Sequence, residues 1–248
     1  MLVHEQLTSG PSRLDLRIAT TATRPVTDHV LVLVHGLTRA YGMGRRAAGQ
    51  LPELAEHLAN ESGWLVATGT FSGVGDSTGT FSISQWSADL ACILDRLDDG
   101  SRRISLAGFG LGGSLALATA VADERVRGVA TFAAPADLVR WSGEPQVLHD
   151  VVTAAGVVDP DIPLLGPSEL FDDVTSIDPL ASAKLLPPRR FLIGHGSDDL
   201  EVPISEARAL LSAAEGRAEL RVIQGAGHWL RADPRMVATL LGWLDRHR

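Results

Sequence analysis

Six consecutive residues, Gly108-Phe109-Gly110-Leu111-Gly112-Gly113, place four glycines between a short apolar run and an alanine-rich segment. Glycine accepts the positive φ and the close backbone approach that an abrupt reversal from strand to helix requires. The run Arg103–Ala107 reads as the strand entering this turn and Leu111–Ala122 as the helix leaving it. A chain that holds such a strand-turn-helix unit in its middle is committed to sheet covered by helices, so the remainder can be read for the same alternation.

The alternation is present on both sides. Leu14–Ala19 alternates apolar and polar residues, whereas Val30–Val34 is apolar throughout, the pattern of a central strand covered on both faces. Leu51, Leu54, Ala55 and Leu58 recur at helical spacing within Arg45–Asn60, and Gly63 follows as a stop signal. Trp64–Thr70 then reads as strand, Ser84–Leu97 as helix and Val126–Ala133 as strand. After an interruption come strand Arg190–His195, helix Ile204–Glu215, strand Ala218–Ile223 and helix Pro234–Arg246. Repeated βα units predict a doubly wound, mostly parallel α/β sheet. The interruption, rich in Pro and Asp (Pro160, Pro163, Pro167, Asp172, Asp173) around one amphipathic helix near Pro145–Ala155, predicts a cap insertion over 136–188. The core then comprises 1–135 and 189–248. Leu138, Trp141, Val147, Leu148, Leu164, Leu165 and Phe171 are available to line an apolar pocket beneath the cap or, more simply, to dock it onto the core.

Composition narrows the partners. A chain of 248 residues with 45% apolar content can bury a sizeable core, and a net charge of −8 with scattered arginines argues against nucleic acid or an anionic membrane surface. A small neutral or fairly apolar molecule is the expected partner, and the composition leaves the oligomeric state open. A single cysteine, Cys92, forms no intramolecular disulfide and reads as a small core residue. The start, Met1-Leu2-Val3-His4-Glu5, lacks the basic and apolar regions of a secretory signal, and no apolar run reaches the ~18 residues of a membrane span. The expected location is the cytoplasm.

Four local patterns, in this order, resemble the α/β-hydrolase family from about Leu14 to Trp243. They are Val32-Leu33-Val34-His35-Gly36-Leu37; the glycine-rich turn, at the place of the family's G-x-S-x-G elbow; His195-Gly196-Ser197-Asp198-Asp199-Leu200-Glu201-Val202-Pro203; and Gly225-Ala226-Gly227-His228. The resemblance implies a cap after the strand Val126–Ala133, the sixth in the family's count. It implies that Asp199 and His228 are the acid and histidine of a triad, and that the backbone N–H groups of Leu37 and Leu111 form an oxyanion hole. Gly36, Phe109, Trp141 and Trp229 would line the substrate site. At the nucleophile's place, however, stands Gly110.

Each pattern has a plainer reading. His35 alone reads as a core histidine bonded to backbone, and Asp198 and Glu201 as solvated charges at a helix start. Gly108-x-Gly110-x-x-Gly113 also satisfies the dinucleotide-binding expression, but the next strand ends Phe132-Ala133-Ala134-Pro135 without an acidic residue, so no cofactor or metal is expected. Thr70 to Gly79 resembles the family's R-G-x-G-x-S-x-G loop, with Ser72 where that pattern has Arg. Ser72 and Ser77 belong to a tight turn, and Ser114 lies four residues beyond Gly110, one helical turn from the oxyanion donors.

Glycine offers no attacking atom, so acyl-enzyme ester hydrolysis is not expected. Three readings remain. His228, oriented by Asp199, acts as base on water or substrate in the hydrolysis of an ester or lactone, or in carbon–carbon cleavage or a lyase step. Alternatively the pocket binds a small ligand without catalysis, or the chain is a Ser-to-Gly form of an ordinary esterase.

Overall fold

The computed structural model describes residues 1–21, 28–38 and 42–247. Among these lie eight strands: β1 (Leu2–Ser9), β2 (Ser12–Ala19), β3 (His29–Val34), β4 (Leu65–Thr70), β5 (Arg103–Phe109), β6 (Val126–Phe132), β7 (Arg190–Gly196) and β8 (Glu219–Ile223). They form one sheet in the order β1-β2-β4-β3-β5-β6-β7-β8, in which β1–β2 and β2–β4 are antiparallel and all later pairs parallel. β3 and β5 are buried along almost their whole length, as expected of strands covered on both faces.

Helices α1 (Leu51–Ser62), α2 (Ile83–Leu97), α3 (Leu111–Ala122), α8 (Ile204–Ala213) and α9 (Pro234–Asp245) flank the sheet. Their ends have local causes. Gly63 closes α1 in the left-handed conformation, φ 75°, and the Ser82 side chain accepts from Gln85 N at the start of α2. α3 starts at the glycine-rich turn, and the steric reason for its glycines is visible: a Cβ on Gly108 would collide with the Gly112 carbonyl, and one on Gly112 with the His35 carbonyl. Close strand–helix packing therefore accounts for this G-x-G-x-x-G pattern without a nucleotide.

Two features differ from expectation. β1 was not expected; it pairs with β2 through a tight turn at Gly10 (φ 55°) and Pro11. As an exposed edge strand it carries no apolar run, so the turn was its only signal. Its presence also changes the setting of Cys92, which is half-buried beneath it, the thiol donating to Thr8 O (3.4 Å). The second difference lies in 136–188, where four helices replace the one expected: α4 (Leu138–Ser142), α5 (Pro145–Ala155), α6 (Pro167–Val174) and α7 (Pro179–Leu185). α7 packs between α3 and α8 and so works as the crossover helix of the β6–β7 unit, leaving α4–α6 as the additional segment. Glu206 on α8 anchors that segment: its buried carboxylate pairs with Arg140 and accepts from Ala136 N (2.9 Å) and Asp137 N (3.0 Å). Asp173 on α6 accepts from Ile83 N and Ser84 N, tying the segment to the start of α2. Among the described residues, no helix is long and apolar enough to cross a membrane.

Candidate active site

Loops at the carboxyl ends of β3, β5, β7 and β8 converge where strand order reverses, the usual place for a ligand in an open α/β sheet. Phe109 leads β5 into Gly110, whose φ of 55° and ψ of −130° make the turn sharp enough to start α3 one residue later. The turn is fixed by Gly110 N donating to Phe132 O and Gly113 N to Gly110 O, both 2.8 Å. A Cβ at Gly110 would meet nothing closer than His228 Nε2, 3.6 Å away. Gly36, after β3, lies so close to Phe109 and Leu111 that a Cβ on it would strike the Phe109 carbonyl and come within 3.4 Å of Leu111 N. The amide at the start of α3 and the loop carrying Leu37 are thus pressed together.

Asp199 follows β7 with its side chain fully buried. Oδ1 accepts from the backbone N–H groups of Glu201 and Val202 (2.9 Å each), and Oδ2 accepts from His228 Nδ1 (2.9 Å). Burial pushes this carboxyl up, but the bonds from His228, Val202 and Glu201 outweigh it and hold its pKa below the ordinary carboxylate value. A carboxylate only accepts, so Nδ1 of His228 carries the proton and Nε2 turns its lone pair toward Gly110. A second imidazole, His195, is buried behind: its Nε2 bonds Val202 O (2.8 Å) and lies 3.5 Å from Asp199 Oδ2, and burial lowers its pKa.

His35 lies beneath the site, wholly buried, between Phe71 and Trp86 at ring-centroid distances of 4.7 and 4.9 Å. Nε2 accepts from Phe71 N (3.0 Å), so the proton sits on Nδ1, which donates to Gly36 O (3.0 Å). Burial lowers its pKa to about 4, against a weaker raising effect of the Gly36 bond and with a small further lowering by Arg231. The unfolded imidazole takes a proton near pH 6.5 and the folded one only near 4, so the unfolded state binds more protons between these values and stability falls as pH falls. From the lowering at 1.36 kcal/mol per pH unit, the loss across that window is about 3 kcal/mol. Urea unfolding at intervals from pH 7 to 4 measures it; His35→Gln should flatten the slope, and an equal slope in both proteins would contradict this account.

The cleft above these groups is lined by Gly36, Leu37, Thr38, Ala47, Phe109 and Gly110 on one side and by Glu201, His228, Trp229, Leu230 and Arg231 on the other. Its free volume, about 30 Å³, has room for one or two water molecules. The structure brings together Gly36, Leu37, Phe109, Gly110, Leu111, Asp199, His228 and Trp229. It does not bring Trp141 to them; that residue lines a neighbouring depression with Arg140, Pro203 and Glu206. Of the other apolar residues expected there, none lines the cleft: Leu138 and Leu148 are buried in the core, Leu164, Leu165 and Phe171 pack against it, and Val147 is exposed. Nothing in the sequence marks Arg231 as a lining residue, because its approach depends on the short 3₁₀ turn Leu230–Ala232 after His228.

The other hydroxyls considered are occupied elsewhere. Ser114 donates to Pro135 O (2.7 Å), Ser72 to Asp89 Oδ2 (2.8 Å) and Ser77 to Thr70 O (2.6 Å). Thr38 is the one hydroxyl among the described residues lining the cleft. No group of three or more His, Cys, Asp or Glu is placed to hold a metal among the described residues.

Comparison with solved structures places this fold among α/β hydrolases. The chain is similar to a proline iminopeptidase from Mycobacterium smegmatis (16% identity, 99% of this chain and 98% of that one, TM-score 0.74). It is also similar to the esterase domain of a Rhodothermus marinus protein (20%, 100% and 97%, TM-score 0.70). A third likeness is to an α/β serine hydrolase without lid from Xanthomonas campestris (19%, 99% and 92%, TM-score 0.65). At these identities the likeness concerns the fold alone, and no curated protein matches the sequence. In sequence, residues 95–248 match the prolyl oligopeptidase family, more than half of the chain and all of the segment carrying Gly110, Asp199 and His228. The chain therefore belongs to the prolyl oligopeptidase family, within the α/β-hydrolase superfamily.

Proposed function

We propose that this protein is a hydrolase in which water takes the place of a serine nucleophile. The observation that carries the reading is the alignment of His228 Nε2 with the space above Gly110, while Nδ1 is fixed by the buried Asp199. In the proposed reaction, a water between Nε2 and the substrate attacks an activated carbonyl carbon as His228 takes one of its protons. The oxygen anion that forms is held by the N–H groups of Leu37 and Leu111, the latter strengthened by the positive end of α3. Collapse expels the alkoxide, which receives the proton from His228, so that acid and alcohol leave and the imidazole is restored. Esters, lactones and activated carbon–carbon bonds next to a carbonyl suit such a site. The charged lining by Glu201 and Arg231 speaks for a polar substrate, in place of the apolar one expected from the cap residues.

The native protein should therefore hydrolyse activated aryl esters or lactones slowly, without a burst and without labelling by a fluorophosphonate. His228→Ala should lower that rate by about 10²-fold or more, the range of general-base catalysis. A rate unchanged in His228→Ala, or a burst with label on Thr38, would overturn the reading. Ligand binding without turnover of any ester or lactone would favour the non-catalytic alternative.

A further inference from the structure

We propose that Arg231 is a carboxylate-binding residue, so that the ligand of this cleft carries a single anionic group beside its reacting carbonyl. The inference deepens the functional reading above and rests on it for the reacting carbonyl, while the anionic group is argued from Arg231 and its surroundings. Arg231 lines the same cleft as His228, Gly110 and Leu37. Its guanidinium is held in place: Nε donates to Gln50 Oε1 (3.2 Å), and the planar head lies 4.6 Å from the centre of the Trp229 ring. Both terminal nitrogens, the fork that meets a carboxylate with two parallel hydrogen bonds, are without a partner among the described residues.

The charge is also uncompensated. Arg17, Arg96, Arg125, Arg140, Arg235 and Arg246 each have a carboxylate within 4.0 Å, mostly at the surface, where pairing matters little. Arg231 is half-buried and has none among the described residues, and burial alone lowers its pKa. A cation withdrawn from water, fixed on two sides and left without a counter-ion is costly to keep unless an anion arrives. Glu201 lines the cleft too, as an exposed carboxylate. Its charge disfavours a dianion such as a phosphate monoester, which leaves a monocarboxylate as the fitting group.

The test uses the full-length native chain, Gly110→Ser, and Arg231→Gln and Arg231→Lys in each. Binding of glutarate monomethyl ester, a monocarboxylate, is titrated to the native protein by calorimetry. In the Gly110→Ser background, 4-nitrophenyl hydrogen succinate is compared with neutral 4-nitrophenyl butyrate. The expected results are an affinity loss of about 10-fold or more in Arg231→Gln, equivalent to ~1.4 kcal/mol, a fall of similar size in the kcat/KM ratio of charged to neutral ester, and partial recovery with Arg231→Lys. Should Arg231→Gln fold poorly, Arg231→Lys and Gln50→Ala, which frees the head, report the same ratio. Binding that depends on Arg231 without any turnover would sustain this proposal while the hydrolytic reading fails. Turnover by Gly110→Ser with a charged-to-neutral ratio unmoved by Arg231→Gln, together with unchanged binding, would overturn the proposal alone.

Discussion

Gly110→Ser is expected to turn this protein into a serine esterase that reacts with a fluorophosphonate at residue 110 and hydrolyses short-chain aryl esters at least ~10³-fold faster than the native chain. The argument is geometric. The added Cβ lies 3.6 Å from His228 Nε2, so an Oγ on it falls within hydrogen-bonding reach of the unprotonated nitrogen. Loss of the nucleophile from a comparable triad costs about 10⁶ in turnover, with ~10³–10⁴ over water left to the rest of the site. Recovering part of that factor is the least a correctly placed hydroxyl should do. The cost is conformational: a φ of 55° with ψ of −130° strains an L-residue by about 1–3 kcal/mol. In a chain of this size each 1 kcal/mol lowers Tm by about 2–4 °C. Gly110→Ala carries the same strain without the hydroxyl, so it should match Gly110→Ser in Tm and gain no activity. A folded, unlabelled and inactive Gly110→Ser would show that His228 and the Leu37 and Leu111 amides do not form an acyl-transfer site.

What could be read in the sequence follows from how local each cause is. The parallel strands announce themselves because burial on two faces demands a continuous apolar run, as in Val30–Val34. The placing of Gly110, Asp199 and His228 was legible because each sits at a fixed position after a strand, where the loop's own glycines restrict the path. Edge strand β1 was not legible: half-exposed and paired on one side, it needs no apolar run, and only Gly10-Pro11 marks its hairpin. In 136–188 only Pro145–Ala155 shows a helical pattern in the sequence, yet Pro167 and Pro179 stand in the first turns of α6 and α7, where their missing N–H costs nothing, and Asp178 caps the second. Trp141 lies outside the cleft and Arg231 lines it for a different reason. Which side chain reaches a cleft depends on the direction in which a short turn leaves the sheet, and that direction is set by packing such as the Glu206 anchor beneath Ala136 and Asp137. No periodicity reports such a contact.

Asp199→Asn is expected to abolish most of what Gly110→Ser gains, by about 10³–10⁴-fold in kcat, while leaving the fold intact. The substitution keeps shape and volume, so its effect depends on which way the new amide turns. The Oδ1 position faces two backbone donors, Glu201 N and Val202 N, which only an oxygen can satisfy. The amide nitrogen must therefore take the Oδ2 position, 2.9 Å from His228 Nδ1, and it is a donor. Nδ1 then has to accept, the imidazole proton moves to Nε2, and the atom facing residue 110 can no longer take a proton from serine. A wrong tautomer of this kind costs about 10⁴ in a related triad. The same change removes a carboxyl whose folded pKa lies below its ordinary value, so the stability it contributes is present above the ordinary carboxylate range and is lost as pH falls through the folded pKa. Asp199→Asn should accordingly show a shallower loss of stability on acidification than the parent. Nitrogen-15 chemical shifts of the His228 ring report the tautomer directly. If the proton stays on Nδ1 in Asp199→Asn, or if kcat falls by less than ~10-fold against the general-base range, then the buried carboxylate does not orient the base and the dyad has to be reassigned.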